Sequence, residues 1–415
     1  MSEPVIAVIV TLNSKSDEGR FLCEALTRAG AHPWMVDTSL RPHDVEGASF
    51  SGEDLATAAG VRWADLAEMD RRGATEIMIR GGRKLISGSF EKDLFSGAIG
   101  IGGANGTAIA CSIMRTLPLL VPKAMVSVVA ATAAVQWYVG ESDIAMFPSI
   151  GDISLNRITR GVMENAARAV AAMAKGRPAQ ETAAVETAPL VAVSSFGGTA
   201  GCVRRVEERL KEAGYEVILL HASGPGGQAL ESLARHGELT GVVDVTTSEL
   251  TDLLVDGVYS SGEGRLREAG AAGIPQVVVP GALDHANFWM GEVPERFRDR
   301  EFLQYNAEIL LMRTNAEEFE ALGRFVAERL NEAKGGIAVM IPRRGFSEHT
   351  KRTTHDLAGR TRESWLQPET DAAFARSLRS HLKKGRVEEL DLHINDPAFG
   401  DACVRAFLEM MKEVG

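Results

Sequence analysis

The chain has 415 residues, 45% hydrophobic and 24% charged, with a formal net charge of −11; this is too long for one ordinary core and suits two domains. The acidic balance, with no basic stripe, argues against a nucleic-acid surface, and the acidic opening Met1-Ser2-Glu3-Pro4 with its short apolar run Val5 to Val10 suits neither a signal sequence nor a membrane span. Cys23, Cys111, Cys202 and Cys403 form no C-x-x-C pair, which predicts reduced thiols in a cytoplasmic protein and no zinc.

Val5 to Val10 reads as a buried β-branched strand, followed by the loop Thr11-Leu12-Asn13-Ser14-Lys15 and a helix from about Arg20 to Ala29. Hydroxyls and the Lys15 cation beyond a first strand suit a phosphate or carboxylate, although a hydrophilic turn capped at Ser16 or Asp17 accounts for the same residues. Trp34 to Val36 resumes extended structure and ends at Asp37. Further short apolar strands are expected at Ile77 to Ile79, Ala98 to Ile101, Ala124 to Val128 and Ile144 to Phe147. A helix over Leu155 to Met173 precedes Lys175 to Glu186, which lacks a core pattern, so the boundary is placed there, between domains 1–180 and 189–415.

A second series then begins as the first did. Pro189 to Ser194 is a strand, Ser195 to Gly201 a glycine-rich loop, and Cys202 to Ala213 an amphipathic helix. Strands follow at Tyr215 to Leu220, Val242 to Val245, Gln276 to Val279, Ile337 to Ile341 and Val387 to Leu392, and a helix from Ala398 to Lys412 comes last. Strands alternating with helices predict an α/β fold, two Rossmann-like doubly wound parallel-sheet domains facing a cleft, with ligand beyond the carboxyl ends of the strands.

The stretch Gly-Ala-Ile-Gly-Ile-Gly-Gly-Ala-Asn-Gly-Thr from Gly97 to Thr107 is the strongest local signal. A strand ending in glycines brings backbone N–H groups close to a ligand, and the helix that follows points its positive end at the same spot. It is not a Walker loop, having no lysine, nor a dinucleotide fingerprint, since Asn105 stands at the sixth position counted from Gly100. Gly102, Gly103, Asn105, Gly106 and Thr107 are therefore candidate phosphate contacts, with a turn that serves packing alone as the competing reading.

In the second half, His221-Ala-Ser-Gly-Pro-Gly-Gly places a histidine beside a second possible anion nest at Gly226 and Gly227. Thr246-Thr247-Ser248-Glu249 reads as a capping box with Thr246 as cap, and also exposes donors for a ligand. Asp284, His285 and Asn287, and separately His393, Asn395 and Asp396, follow strands and suit either magnesium, substrate orientation or ordinary turns. No Gly-x-Ser-x-Gly, His-Glu-x-x-His or EF-hand spacing occurs.

Taken in order, Gly102 to Thr107, Val121 to Ser127, Leu155 to Ile158, His221 to Gly227, Asp244 to Glu249, Pro280 to Asp284 and His393 to Phe399 resemble the ATP-binding domain family named after the tomato mosaic virus resistance protein, long catalogued as an uncharacterised family. The resemblance runs over essentially the whole chain. It implies two α/β subdomains that bind ATP with magnesium, commonly as a homodimer, and the further barrel domain of the plant member is not expected here. Asn13-Ser14 stands where the family tends to read Asp-Thr, and Ala104-Asn105 where Ser-Gly is common.

The leading functional expectation is a nucleotide-binding protein with ATP or a related phosphorylated ligand in the interdomain cleft. Thr11, Lys15, Gly102, Gly103, Asn105, Gly106, Thr107, Gly226, Gly227, Thr246, Thr247, Glu249 and Asp284 are its candidate contacts, with Lys15 a charge partner and Glu249 or Asp284 a ribose or magnesium contact. An enzyme acting without ATP on a small phosphorylated or sugar-like substrate, using His221, Glu249 and Asp284 as acid–base groups, is the second reading. A nucleotide-set scaffold is the third. The polar segment Ser347 to Arg362 is open between a lid and a disordered loop.

Overall fold

The computed structural model describes residues 3–41, 47–176 and 188–414, and the chain divides into two compact units, Met1–Ala183 and Ala184–Gly415. Beyond Gly176, the expected linker lies outside the described residues.

Unit 1 runs β1 (Val5–Val10), α1 (Leu12–Arg28), β2 (His32–Asp37), α2 (Gly52–Ala58), α3 (Trp63–Glu68), α4 (Arg71–Phe90), β3 (Gly97–Gly102), α5 (Ala104–Met114), β4 (Lys123–Ser127), α6 (Val135–Val139), β5 (Ala145–Pro148) and α7 (Arg157–Gly176). The strands pair in parallel in the order β2-β1-β3-β4-β5. In β1, Ile6, Val8 and Val10 face Leu22 and Leu26 of α1 and Met163 and Val170 of α7. Ala7 and Ile9 alternate to the other face, against Leu55, Met78 and Ile113 of α2, α4 and α5. A strand covered on both sides must be apolar throughout, which is why β1 reads as a run rather than an alternation.

Two expectations in this unit are corrected. Ile77 to Ile79 is not a strand but lies inside α4. Asp70 caps that helix, accepting from Gly73 N at 2.7 Å, and Ala74, Met78, Gly81 and Ile86 form its buried stripe, so the helical period overrides a short β-branched triplet. Helix α1 starts at Leu12 rather than near Arg20, with a kink at Lys15 (φ −137°, ψ 36°).

Unit 2 runs β6 (Leu190–Ser195), α8 (Ala200–Glu212), β7 (Glu216–His221), α9 (Pro225–Arg235), β8 (Gly241–Thr246), α10 (Glu249–Val255), α11 (Glu268–Ala272), β9 (Gln276–Gly281), β10 (His285–Trp289), β11 (Phe302–Gln304), β12 (Ile309–Arg313), α12 (Ala316–Glu332), β13 (Ile337–Pro342), β14 (Thr353–His355), β15 (Thr361–Ser364), α13 (Pro368–His381), β16 (Arg386–Leu390) and α14 (Pro397–Val414). Its parallel sheet has the order β7-β6-β8-β9-β13-β16. Val277 and Val279 of β9 pack toward α8 and α14 with Phe399 and Phe407, while Val278 packs toward Phe319 of α12 and Phe374 of α13.

A second sheet, antiparallel and five-stranded in the order β10-β12-β11-β14-β15, was not anticipated. The segment Ser347 to Arg362 is part of it, as a 3-10 turn at Glu348–Lys351, then β14 and the start of β15. All four residues of β15 are exposed, so it carries no apolar pattern for sequence reasoning to find. The expected capping box is also corrected: α10 begins at Glu249 with Ser248 before it and no side-chain cap, because the Glu249 carboxylate is engaged elsewhere.

Candidate functional site

In a sheet ordered β2-β1-β3-β4-β5, the helices after β1 and β3 pass to opposite faces, so the loops leaving those two strands diverge and open a crevice at their carboxyl ends. In unit 1 a cavity of about 600 Å³ occupies that position, lined by Thr11, Ser14, Lys15, Arg71, Ile101, Gly102, Gly103, Ala104, Asn105, Gly106, Ala108 and Tyr138. A second cavity of about 290 Å³ shares Thr11, Ser14, Arg71 and Asn105 with it and adds Asn13, Leu40, Arg41 and Ala74.

The glycines of the loop divide by role. A Cβ on Gly100 would lie 2.6 Å from Met125 Sδ and 2.8 Å from Ala110 Cβ, so this glycine lets α5 pack closely on the sheet. On Gly102 it would lie 2.8 Å from Gly106 Cα, so that glycine allows the tight strand-to-helix turn. Gly103 faces open space, and a Cβ on Gly106 would meet only Ile101 O at 3.7 Å and Thr11 Oγ1 at 3.8 Å. Packing thus accounts for Gly100 and Gly102. It does not require Gly103 or Gly106.

Helix α5 starts at Ala104 with Gly103 as its N-cap and no side-chain cap. The first N–H groups of a helix have no partner within it and carry its partial positive charge, and here they open onto the cavity. Lys15 reaches the same space with Nζ donating to Ile153 O at 2.5 Å. Thr11 Oγ1 pairs with Thr38 Oγ1 at 2.9 Å, and Asn105 Oδ1 accepts from Thr75 Oγ1 at 3.2 Å. Thr107 behaves differently: fully buried, it bonds Ser127 Oγ at 2.7 Å and ties β3 to β4. Asp37, at the carboxyl end of β2, is also turned inward, its Oδ1 accepting from Leu12 N and Ser39 N, both at 3.0 Å, which fixes the first loop.

Arg71, Arg41 and Tyr138 were missed by sequence reasoning. Arg71 sits in Asp70-Arg71-Arg72, which reads as a solvated helix start, and nothing local to it points toward a loop thirty-odd residues away.

The remaining candidates lie in unit 2, where they do not form one site. Glu249 Oε1 accepts from Gly224 N at 2.7 Å and Gly227 N at 3.0 Å, and Oε2 accepts from Arg265 Nε at 2.9 Å. The second anion nest is therefore filled by the protein's own carboxylate. Arg265, fully buried, also forks onto Asp244 through two bonds of 2.7 Å and reaches Glu231 at 3.3 Å. Burial alone would lower the Arg265 pKa, but Asp244, Glu249 and Glu231 raise it well above its ordinary value. Thr246 Oγ1 pairs with Thr199 Oγ1 at 2.7 Å, and Thr247 Oγ1 donates to Val279 O at 2.9 Å. A Cβ on Gly226 would sit 1.9 Å from His221 O, so that glycine serves close packing.

His221 ends β7 and Asp284 follows β9, two strands separated in the sheet by β6 and β8, so they are not brought together as an acid–base pair. His393, Asn395 and Asp396 form a closed turn: His393 N donates to Asp396 Oδ2 at 2.8 Å, and Asn395 Oδ1 accepts from Cys202 N at 3.1 Å. The cysteines are unpaired. Burial pushes Cys23 up to about 11 and Cys111 up to about 12, which removes both as nucleophiles near neutral pH.

Family models cover both units: the uncharacterised protein family (UPF0261) N-terminal domain matches residues 4–179 and its C-terminal domain residues 188–411. The chain belongs to the UPF0261 family. The UPF0261 protein RA0729 of Rhizobium meliloti (strain 1021) is 38% identical over 411 residues, covering 98% of each chain. The ToMV resistance protein Tm-1(GCR237) of Solanum lycopersicum is 36% identical over 441 residues, covering 99% of this chain and 56% of that protein. A UDP-N-acetylglucosamine 2-epimerase is similar over 66% of this chain and 78% of its own, at 9% identity and a TM-score of 0.24, too low to carry an argument. Among the described residues no helix is long and apolar enough to cross a membrane.

The UPF0261 cavity in unit 1 fits a phosphate better than it fits a protein-held magnesium ion. Among the described residues its lining offers backbone donors, hydroxyls and cations but no carboxylate, whereas magnesium is ordinarily held by one or two carboxylates together with substrate phosphates. Among the described residues no group of three or more His, Cys, Asp or Glu is arranged to hold a metal.

Proposed function

We propose that this UPF0261 chain binds ATP, or a closely related phosphorylated nucleotide, at the β1/β3 crevice of unit 1. The observation that carries the reading is the uncapped amino end of α5 opening onto a cavity of about 600 Å³, a volume within the usual range for small-molecule sites. The N–H groups of Ala104, Asn105 and Gly106 would hold phosphate, with Lys15 and Arg71 as cations at its edge and Tyr138 as an aromatic wall. Magnesium, when bound, neutralises phosphate charge, and it would arrive as a complex with those phosphates. Gly224 and Gly227 take no part, since Glu249 already occupies their N–H groups.

The test is isothermal titration of magnesium–ATP into the full chain, with a thermal-shift series alongside. Ligand at a hundredfold its Kd stabilises the native state by about 2.7 kcal/mol, so a shift of several degrees is expected. In Gly106→Asp a carboxylate enters the first turn of α5. That position favours an acid for helix stability, so the variant folds, but it places negative charge against the phosphate and abolishes the shift. No heat and no shift in the wild-type chain would overturn the proposal. A shift for a phosphorylated acid or sugar but for no nucleotide would transfer the same crevice to an enzyme that works without ATP.

A further inference from the structure

In unit 2 the chain leaves β9 through Ala282, whose φ of 57° is in the left-handed region, a conformation an L side chain adopts at a cost and which gathers at functional sites. It then places Asp284 and His285 side by side, both buried. Asp284 Oδ1 lies 3.0 Å from His285 Nδ1, while Oδ2 accepts from Ser347 Oγ at 2.6 Å and Trp365 Nε1 at 2.9 Å. Burial acts to raise the Asp284 pKa, yet the hydrogen bonds from His285 and Ser347 and the charge of Arg313 carry it well below the usual carboxylate range. An ionised Asp284 needs a donor, so in the neutral ring Nδ1 holds the proton and Nε2 keeps a lone pair.

That Nε2 is buried and has no hydrogen-bond partner among the described residues. A buried polar atom left unpaired costs roughly 1–3 kcal/mol and calls for an explanation. Around the His285 ring stand those of His349, Trp365 and Phe196, with ring centroids 5.6, 6.0 and 6.3 Å from its own. Burial holds His349 down at about 4, so it adds no charge at neutral pH. A Cβ on Gly198 would lie 3.8 Å from His349 Nε2, and one on Gly197 would lie 2.8 Å from the Tyr305 hydroxyl. These two glycines open a 3-10 turn that has no side-chain cap and leads into α8.

We propose that His285 is the general base of a second site, in unit 2, positioned by Asp284 and taking a small oxygen-bearing substrate such as a hydroxy or oxo acid or a sugar. The class follows from the groups around the ring, which are imidazole, hydroxyl and backbone N–H groups suited to a small oxygen-bearing molecule. In the step, the Nε2 lone pair takes a proton from a substrate O–H, or from a C–H beside a carbonyl. The bonding electrons stay on the substrate, charge develops on its oxygen facing the turn at Gly197 and Gly198, and the proton returns from His285 when the product forms. Asp284 stays ionised throughout, holding the Nδ1 proton, so that Nε2 is the nitrogen that gains the substrate proton and the one that regains its lone pair when the product forms. The site is independent of the nucleotide reading, which concerns unit 1.

The experiment is done on the full chain. Long-range ¹H–¹⁵N spectra of the histidine rings should show His285 with its proton on Nδ1. Diethyl pyrocarbonate, which acylates a free imidazole lone pair, should modify His285 in the native protein. Asp284→Asn presents an amide that moves the proton to Nε2, so modification of His285 should slow at least tenfold while exposed His32 and His221 react as before. A wild-type ring carrying its proton on Nε2 would overturn the proposal, as would a His285 that stays unmodified while His32 and His221 react. If Asp284→Asn does not fold, the wild-type spectrum and the wild-type modification pattern decide the matter on their own.

Discussion

The two units share a strand order and differ at the place where that order opens a crevice. Counted among the strands of each parallel sheet alone, both run second, first, third, fourth, fifth, with a sixth added in unit 2. In unit 1 the loops after the first and third strands leave a cavity. In unit 2 the corresponding ends, after β6 and β8, are closed by Thr199 against Thr246 and by Ser194 Oγ donating to Asp244 Oδ1 at 2.6 Å, with Arg265 and Glu249 beneath. Both units also carry a glycine-rich approach to a helix amino end. One end is open, and the other is already occupied by a carboxylate of the same chain. A glycine run thus reports that something comes close to the backbone, not what comes.

Removing the buried cation is the strongest way to break this comparison. Arg265→Met leaves Asp244, Glu249 and Glu231 without their shared partner, all buried. The expected loss is about 4 kcal/mol or more, read as a lowered denaturant midpoint. An unchanged midpoint would mean that the closed crevice of unit 2 is not an ion-pair core.

Adding one methyl group to each nest sharpens the same contrast. In Gly227→Ala the new Cβ would stand 2.0 Å from Glu249 Oε2, displacing the carboxylate at a cost of about 3 kcal/mol. In Gly103→Ala it meets nothing within 4 Å, so stability should move by less than about 1 kcal/mol. Equal losses in the two variants would remove the distinction between a filled and an open nest.

The third prediction concerns pH. His349 is held at about 4 against an ordinary 6.5, so the unfolded chain binds the proton first and stability falls as pH drops from 6.5 toward 4. His349→Gln should flatten that slope, recovering about 2 kcal/mol near pH 4. Asp252 acts in the opposite sense: burial raises its pKa to about 7, so its contribution is full below the ordinary 3.8 and is lost as pH rises through 7. Asp252→Asn should therefore make the acid-side loss steeper. Unfolding midpoints of the two variants and the wild type from pH 4 to 8 measure both.

The smallest expected effect lies in the open crevice. Lys15→Ala should leave the melting point of the free protein nearly unchanged and weaken nucleotide binding roughly tenfold, or about 1.4 kcal/mol. Titration against both proteins reads the difference, and an unchanged affinity would take Lys15 out of the site.

Much of the architecture was legible from residue pattern. The run Val5 to Val10, the glycine strand ending at Gly102 and the repeat of the scheme after Pro189 all follow from strands buried on both faces. Local periodicity also misled: Ile77 to Ile79 looks like a strand until Asp70 and the buried stripe of α4 are seen together. The antiparallel sheet escaped notice because its strands are short and partly exposed, because the turn from β11 to β12 has no glycine signature, and because β14 pairs with β11 only after α12 and β13 have intervened in the chain. Asp284 was picked out as a ligand contact, but its three hydrogen bonds turn attention to His285, which it holds in place.

Sequence alone determined the two parallel sheets and the places where backbone N–H groups are bared, because both are local consequences of apolar runs and glycines. Which of those places stays open was decided by tertiary structure. A nest is built from neighbours in the chain, but its occupant arrives from far away: Glu249 reaches Gly224 across 25 residues, and Arg265 reaches Asp244 across 21. Among the described residues no such carboxylate lines the cavity at Gly103 and Gly106. Burying a charge requires partners from several elements at once, and only the folded chain brings them to one point.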